Sequence, residues 1–145
     1  MSCGQCRIVL VDDEPMVVAA ISAFIALETD HELVAFNDPE AALDYLDDHQ
    51  VDIVIADLVM SSMTGEAFFE EVGRRHPRLP RLLLTGCCDQ QRVQAAGGMG
   101  LTGQIDKPWC NEELRRLIET SVEARRRARE QVAEPGAQPA GDAPS

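Results

Sequence analysis

Five polar side chains stand where apolar runs end, and that is where a folded chain can bring distant residues together. Asp12 and Asp13 follow Ile8-Val9-Leu10-Val11, Asp57 follows Ile53-Val54-Ile55-Ala56, Thr85 follows Leu82-Leu83-Leu84, and Lys107 follows the segment from Leu101 to Asp106. Gathered carboxylates repel one another, by about 4 kcal/mol for a pair 4 Å apart at an effective dielectric near 20. Such a cluster calls for a cation. Hard oxygen ligands with room for water suit Mg²⁺, which binds through one or two carboxylates and a phosphoryl group and needs no all-protein cage. Lys107 and Thr85 then supply what a transferring phosphoryl group needs, a point charge and a hydrogen-bond donor for its oxygens.

The elements that must position these residues are legible in the spacing. The three short apolar runs are too brief for helices and lack the alternation of a half-wet sheet, so they read as strands buried on both faces. Between them lie helical patterns: Val17, Ile21, Phe24 and Ile25, and later Leu114, Leu117, Ile118 and Val122. A strand at Leu33 to Phe36, a helix opening at Asp38-Pro39, a helix carrying Phe68, Phe69 and Val72, and a strand from Leu101 to Asp106 complete the alternation. Five βα units predict an α/β fold, a doubly wound parallel sheet with helices on both faces. In such sheets ligands bind beyond the carboxyl ends of the strands, where the strand order reverses. The glycines around Ala95-Ala96-Gly97-Gly98-Met99-Gly100 and Gly103 predict a fourth helix that ends early in mobile surroundings.

Composition bounds the function. The 145 residues carry 13 Lys plus Arg against 25 Asp plus Glu, a formal net charge of −12. One domain is expected, with no nucleic acid as direct ligand. The longest apolar stretch, Pro15 to Leu27, is shorter than the roughly 18 residues of a membrane span, and no secretory leader precedes it, so a cytoplasmic protein with no membrane contact is expected. Five cysteines do not suggest a disulfide framework. Cys3-Gly-Gln-Cys6 precedes the first strand and does not open a helix, so a redox or zinc pair is disfavoured. His31, His49 and His76 lie in polar contexts and read as surface residues. After Val122 the apolar stripe gives way to Arg125-Arg126-Arg127-Ala128-Arg129, read as a solvated helix face. Residues 1–6 are an N-terminal extension, 7–123 the domain, 124–133 a projecting helix extension, and 134–145 a disordered tail.

The motifs VLVDDEP, IVIADLVM, LLLTG and IDKPW together resemble the receiver domain of two-component response regulators, over roughly residues 6 to 123. The resemblance implies a flavodoxin-like sheet of order 2-1-3-4-5. It implies Asp57 as phospho-acceptor, Asp12 and Asp13 as Mg²⁺ ligands with the main-chain carbonyl of Val59, Thr85 as switch hydroxyl and Lys107 as phosphate partner. Lys107-Pro108 is a candidate cis bond. A stand-alone, non-enzymatic receiver is expected. It takes a phosphoryl group from a histidine kinase or phosphotransfer protein and presents a changed surface to a downstream protein. A haloacid-dehalogenase-type hydrolase would want a second Asp where Val59 stands.

Departures from the family pattern are equally specific. Gln104 stands where receivers commonly carry Tyr or Phe, Ser61 follows Met60 where Pro is frequent, and Cys87-Cys88 follows the switch threonine. Val59 and Cys87 occupy positions where an amide or acid would hold a hydrolytic water, so self-dephosphorylation is expected to be slow. Gln104 keeps one alternative open, an adaptor that docks without being phosphorylated. Ala124, Ala128 and Val132 keep another, a homodimer through the last helix. The KPW with Asn111-Glu112-Glu113-Leu114 is similar to receivers that precede cyclic-di-GMP phosphodiesterase or ATPase-activator modules.

Overall fold

A computed structural model describes residues 6–58, 60, 62–86, 101–107 and 109–133. Within them the chain runs β1 (Arg7–Val11), α1 (Pro15–Glu28), β2 (Glu32–Phe36), α2 (Pro39–Asp48), β3 (Ile53–Asp57), α3 (Gly65–Arg75), β4 (Arg81–Thr85), β5 (Gly103–Asp106) and α4 (Asn111–Ala133). The glycine-flanked helix expected between β4 and β5, Cys87-Cys88, Cys3, Ser61, Val59 and the Lys107-Pro108 bond lie outside the described residues.

All strand pairs are parallel, and the sheet order is β2-β1-β3-β4-β5, as the resemblance implies. The continuous apolar runs are the central strands: β3 and β4 are buried at every residue, whereas the edge strand β2 is only half-buried. Period-two alternation divides the core into two layers. Val9, Val11, Val54, Ala56 and Leu83 face α2 and α3 through Leu43, Leu46, Phe68, Phe69 and Val72. Ile8, Leu10, Ile53, Ile55, Leu82, Leu84 and Ile105 face α1 and α4 through Ile21, Phe24, Ile25, Leu114, Ile118 and Val122.

Local signals fix where helices begin. Asp38 caps α2 by accepting from the Glu40 amide, with Pro39 in the first turn, and Thr64 caps α3 by accepting from the Ala67 amide. α1 differs. Pro15 opens it, but the preceding Glu14 makes no side-chain cap. α4 runs unbroken past Val122 to Ala133, and the Arg125 guanidinium reaches back to donate to the Val51 carbonyl.

Candidate functional site

The sheet register sets the site. Val11 lies opposite Ala56, Asp57 opposite Leu84, and Thr85 opposite Asp106, so the residues that end β1, β3, β4 and β5 meet at one edge. The reversal of strand order falls between β1 and β3, which Asp12 and Asp57 flank.

Asp12 is fully buried. One of its oxygens, Oδ1, accepts from the Glu14 amide at 2.8 Å, while Oδ2 has no hydrogen-bond partner among the described residues. A buried carboxylate oxygen left this way is costly. Burial pushes Asp12 up to about 6; the Asp57 charge adds to the rise, while the Glu14 amide and the Lys107 ammonium oppose it. Asp57, also buried, accepts from the Lys107 Nζ at 2.9 Å. The same ammonium lies 3.2 Å from Glu14 Oε1 and 3.8 Å from Asp12 Oδ2. Burial works to lower the Lys107 pKa, but the hydrogen bond and charge of Asp57, with the charge of Asp12, outweigh it and hold the group above its ordinary value.

Thr85 is buried beside them, its hydroxyl donating to the Gly86 carbonyl at 3.1 Å. Its own carbonyl accepts from the Lys107 amide at 2.8 Å, which extends the β4–β5 ladder to the lysine and aims it at the cluster. Asp13, half-buried, lines a cleft of about 500 Å³ with Asp12, Pro15, Val18 and Phe36.

Two residues of the site were not singled out by sequence. Carboxylate oxygens of Asp12, Glu14 and Asp57 lie within 4.8 Å of one another, so the third member of this group is Glu14. Its signal was its place between the aspartate pair and the helix-opening Pro15. Gly65 is the second. A Cβ there would sit 2.6 Å from the Asp57 carbonyl oxygen and 2.6 Å from the Leu58 Cα, so only glycine lets α3 begin against the end of β3. The signal was a glycine directly after a capping threonine.

The site fits a hard divalent cation, because the buried Asp12 and Asp57 carboxylates converge and one oxygen of Asp12 lacks a partner among the described residues. The sequence model of the response regulator receiver domain matches residues 8–119. The chain belongs to the response regulator receiver family. Receiver domains of this family take a phosphoryl group on an aspartate and bind Mg²⁺ in an acidic pocket.

Relatives agree. The receiver is 32% identical over 108 residues to the heme response regulator HssR of Staphylococcus saprophyticus, covering 72% of this chain and 46% of HssR. It is 27% identical over 125 residues to the hydrogenase transcriptional regulatory protein HoxA of Cupriavidus necator, covering 86% of this chain and 26% of HoxA. The chain therefore spans a quarter to a half of the length of these curated relatives. The crystal structure of the signal receiver domain of an HD domain-containing protein from Pseudomonas fluorescens superposes with a TM-score of 0.83 at 24% identity, covering 91% of this chain and 97% of that one, and shares its fold. No helix among the described residues is long and apolar enough to cross a membrane.

Proposed function

We propose that this receiver accepts a phosphoryl group on Asp57 from a histidine kinase or phosphotransfer protein and, once phosphorylated, presents an altered surface to a downstream protein. The observation that carries the reading is the buried Asp57 carboxylate held 2.9 Å from the Lys107 ammonium at the switch point of the sheet. In the transfer an Asp57 oxygen forms a bond to phosphorus as the donor's phosphorus–nitrogen bond breaks. The departing imidazole nitrogen keeps the electron pair and is neutralised by a proton.

Lys107 would meet the phosphoryl oxygens, and Thr85, at the end of the neighbouring strand, would donate its hydroxyl to one of them. Asp12, Asp13 and Asp57, with the Val59 carbonyl, would hold Mg²⁺. Bound there, the ion would neutralise charge on the phosphoryl oxygens. The reading carries with it a cytoplasmic location and no turnover beyond slow self-hydrolysis.

The test is direct. Incubated with acetyl phosphate and Mg²⁺, the wild type should gain one phosphoryl mass and Asp57→Asn should gain none. Equal labelling of the two removes Asp57 as acceptor, and no labelling of either favours the constitutively docking adaptor to which Gln104 points.

A further inference from the structure

Glu14 is the N-cap residue of α1, yet its carboxylate does not cap that helix. Its main chain is fixed on both sides: the amide donates to Asp12 Oδ1 and the carbonyl accepts from the Val18 amide. Its side chain instead crosses to Lys107, 93 residues away in sequence, at 3.2 Å. The Lys107 ammonium thus faces Asp57, Glu14 and Asp12 at 2.9, 3.2 and 3.8 Å. Two of its three donors are engaged, by Asp57 and Glu14, while Asp12 Oδ2 at 3.8 Å is an ion-pair partner too distant for a hydrogen bond.

A phosphoryl group on Asp57 would bring further acceptor oxygens that compete for those donors. A phosphoryl group that takes two of the three donors displaces one carboxylate. Asp12 and Asp57 are buried, so releasing either leaves a charge without water, whereas the Glu14 side chain is 61% exposed and rehydrates when released. Until then its negative charge stands within 4.8 Å of the Asp57 carboxylate that an anionic phosphodonor must reach.

Resting on the reading of Asp57 as acceptor, we infer that Glu14 is a positioning residue that gates phosphorylation: it occupies Lys107 in the resting receiver, repels incoming phosphodonors, and is displaced when the phosphoryl group arrives. A unit charge within 4.8 Å of an Asp57 oxygen, screened as in bulk water, slows an anion's approach by about fourfold or more.

The variant that tests this is Glu14→Gln, which keeps the length and an acceptor oxygen and removes the charge. With acetyl phosphate and saturating Mg²⁺ at low ionic strength it should be phosphorylated several-fold faster than wild type. The advantage should shrink towards unity near 1 M salt, where screening falls to about 3 Å. A merely structural role would not respond to salt in this way, and a metal-ligand role would make the variant slower. A second measurement needs neither metal nor phosphoryl group. In EDTA, the urea unfolding of Glu14→Gln, Lys107→Gln and the double variant should show a coupling of about two- to fivefold in the unfolding constant. Equal or slower labelling, a rate ratio indifferent to salt, or additive unfolding each overturns the gate. If the wild type labels normally, those results leave Asp57 as acceptor untouched. If neither protein labels, the acceptor reading falls and the gate with it.

Discussion

At Asp12 burial works against function. Its carboxyl, ordinarily at 3.8, is raised to about 6 by burial and then by the Asp57 charge, so the folded protein holds a proton over a range where the unfolded chain has already released it. Stability from that proton is complete below about 3.8 and is lost as the pH rises through about 6. Above that, ionised Asp12 costs on the order of 2–3 kcal/mol. In EDTA at pH 7.5, Asp12→Asn should therefore unfold at higher urea than wild type, and the gap should close as the pH falls towards 4. A variant less stable than wild type at pH 7.5 would show that the ionised carboxylate is favourable where it stands. Asp57, the aspartate pair and Thr85 were legible because each ends an apolar run, and Lys107 because it follows the last strand of the alternation. Glu14 was not, since an exposed acid before a helix-opening proline is ordinarily a solvated residue. Its role comes from a contact across 93 positions that no local pattern encodes.

At the scale of elements, the strands were legible because burial on both faces leaves continuous apolar runs, and α2 because Asp38 and Pro39 announce its start. α1 was less so. Its core face is Ile21, Phe24 and Ile25, as spacing predicts, yet its outer face carries no charge between Glu14 and Glu28, and Met16 and Leu27 are each 83% exposed. Local pattern also could not show how tightly α3 presses on β3. The Gly65 amide donates to the Leu58 carbonyl at 2.8 Å, and any Cβ would meet main-chain atoms, which yield far less readily than a flexible side chain. Gly65→Ala should therefore cost about 1–3 kcal/mol and, by pushing the end of β3 aside, slow labelling of Asp57. Denaturant midpoint and labelling rate measured on one preparation check both effects. An unchanged midpoint would mean that α3 can slide to make room.

At the scale of the molecule, β3 links two edges of the sheet. Asp57 ends it at the chemical edge. At the other edge, Asp52 accepts from the Arg7 amide at 2.8 Å and donates its own amide to the Arg7 carbonyl at 2.9 Å, while Arg125 of α4 donates to the Val51 carbonyl. A cleft of about 560 Å³ opens there, bordered by His49, His76, Arg78 and Arg125. The second residue of the expected extension, Arg125, is thus half-buried and hydrogen-bonded to the sheet's edge. Composition could not reveal this, because an arginine run reads alike whether one of its members finds a carbonyl or all of them face water. A hydrogen bond from a charged donor contributes about 1.5–3 kcal/mol when its partner is shielded, and less as exposure grows. Since α4 has lost its apolar stripe by this point, the contact matters most for the turn that carries it. Arg125→Met keeps the apolar stem and removes the donor. It should lower global stability by about 1 kcal/mol or less while raising amide exchange in α4 beyond residue 124 several-fold. Labelling of Asp57 should be unchanged, because the substitution touches only the opposite edge. Exchange equal to wild type would show that the helix end is held by something other than this arginine, and slower labelling would show that the two edges of β3 are coupled.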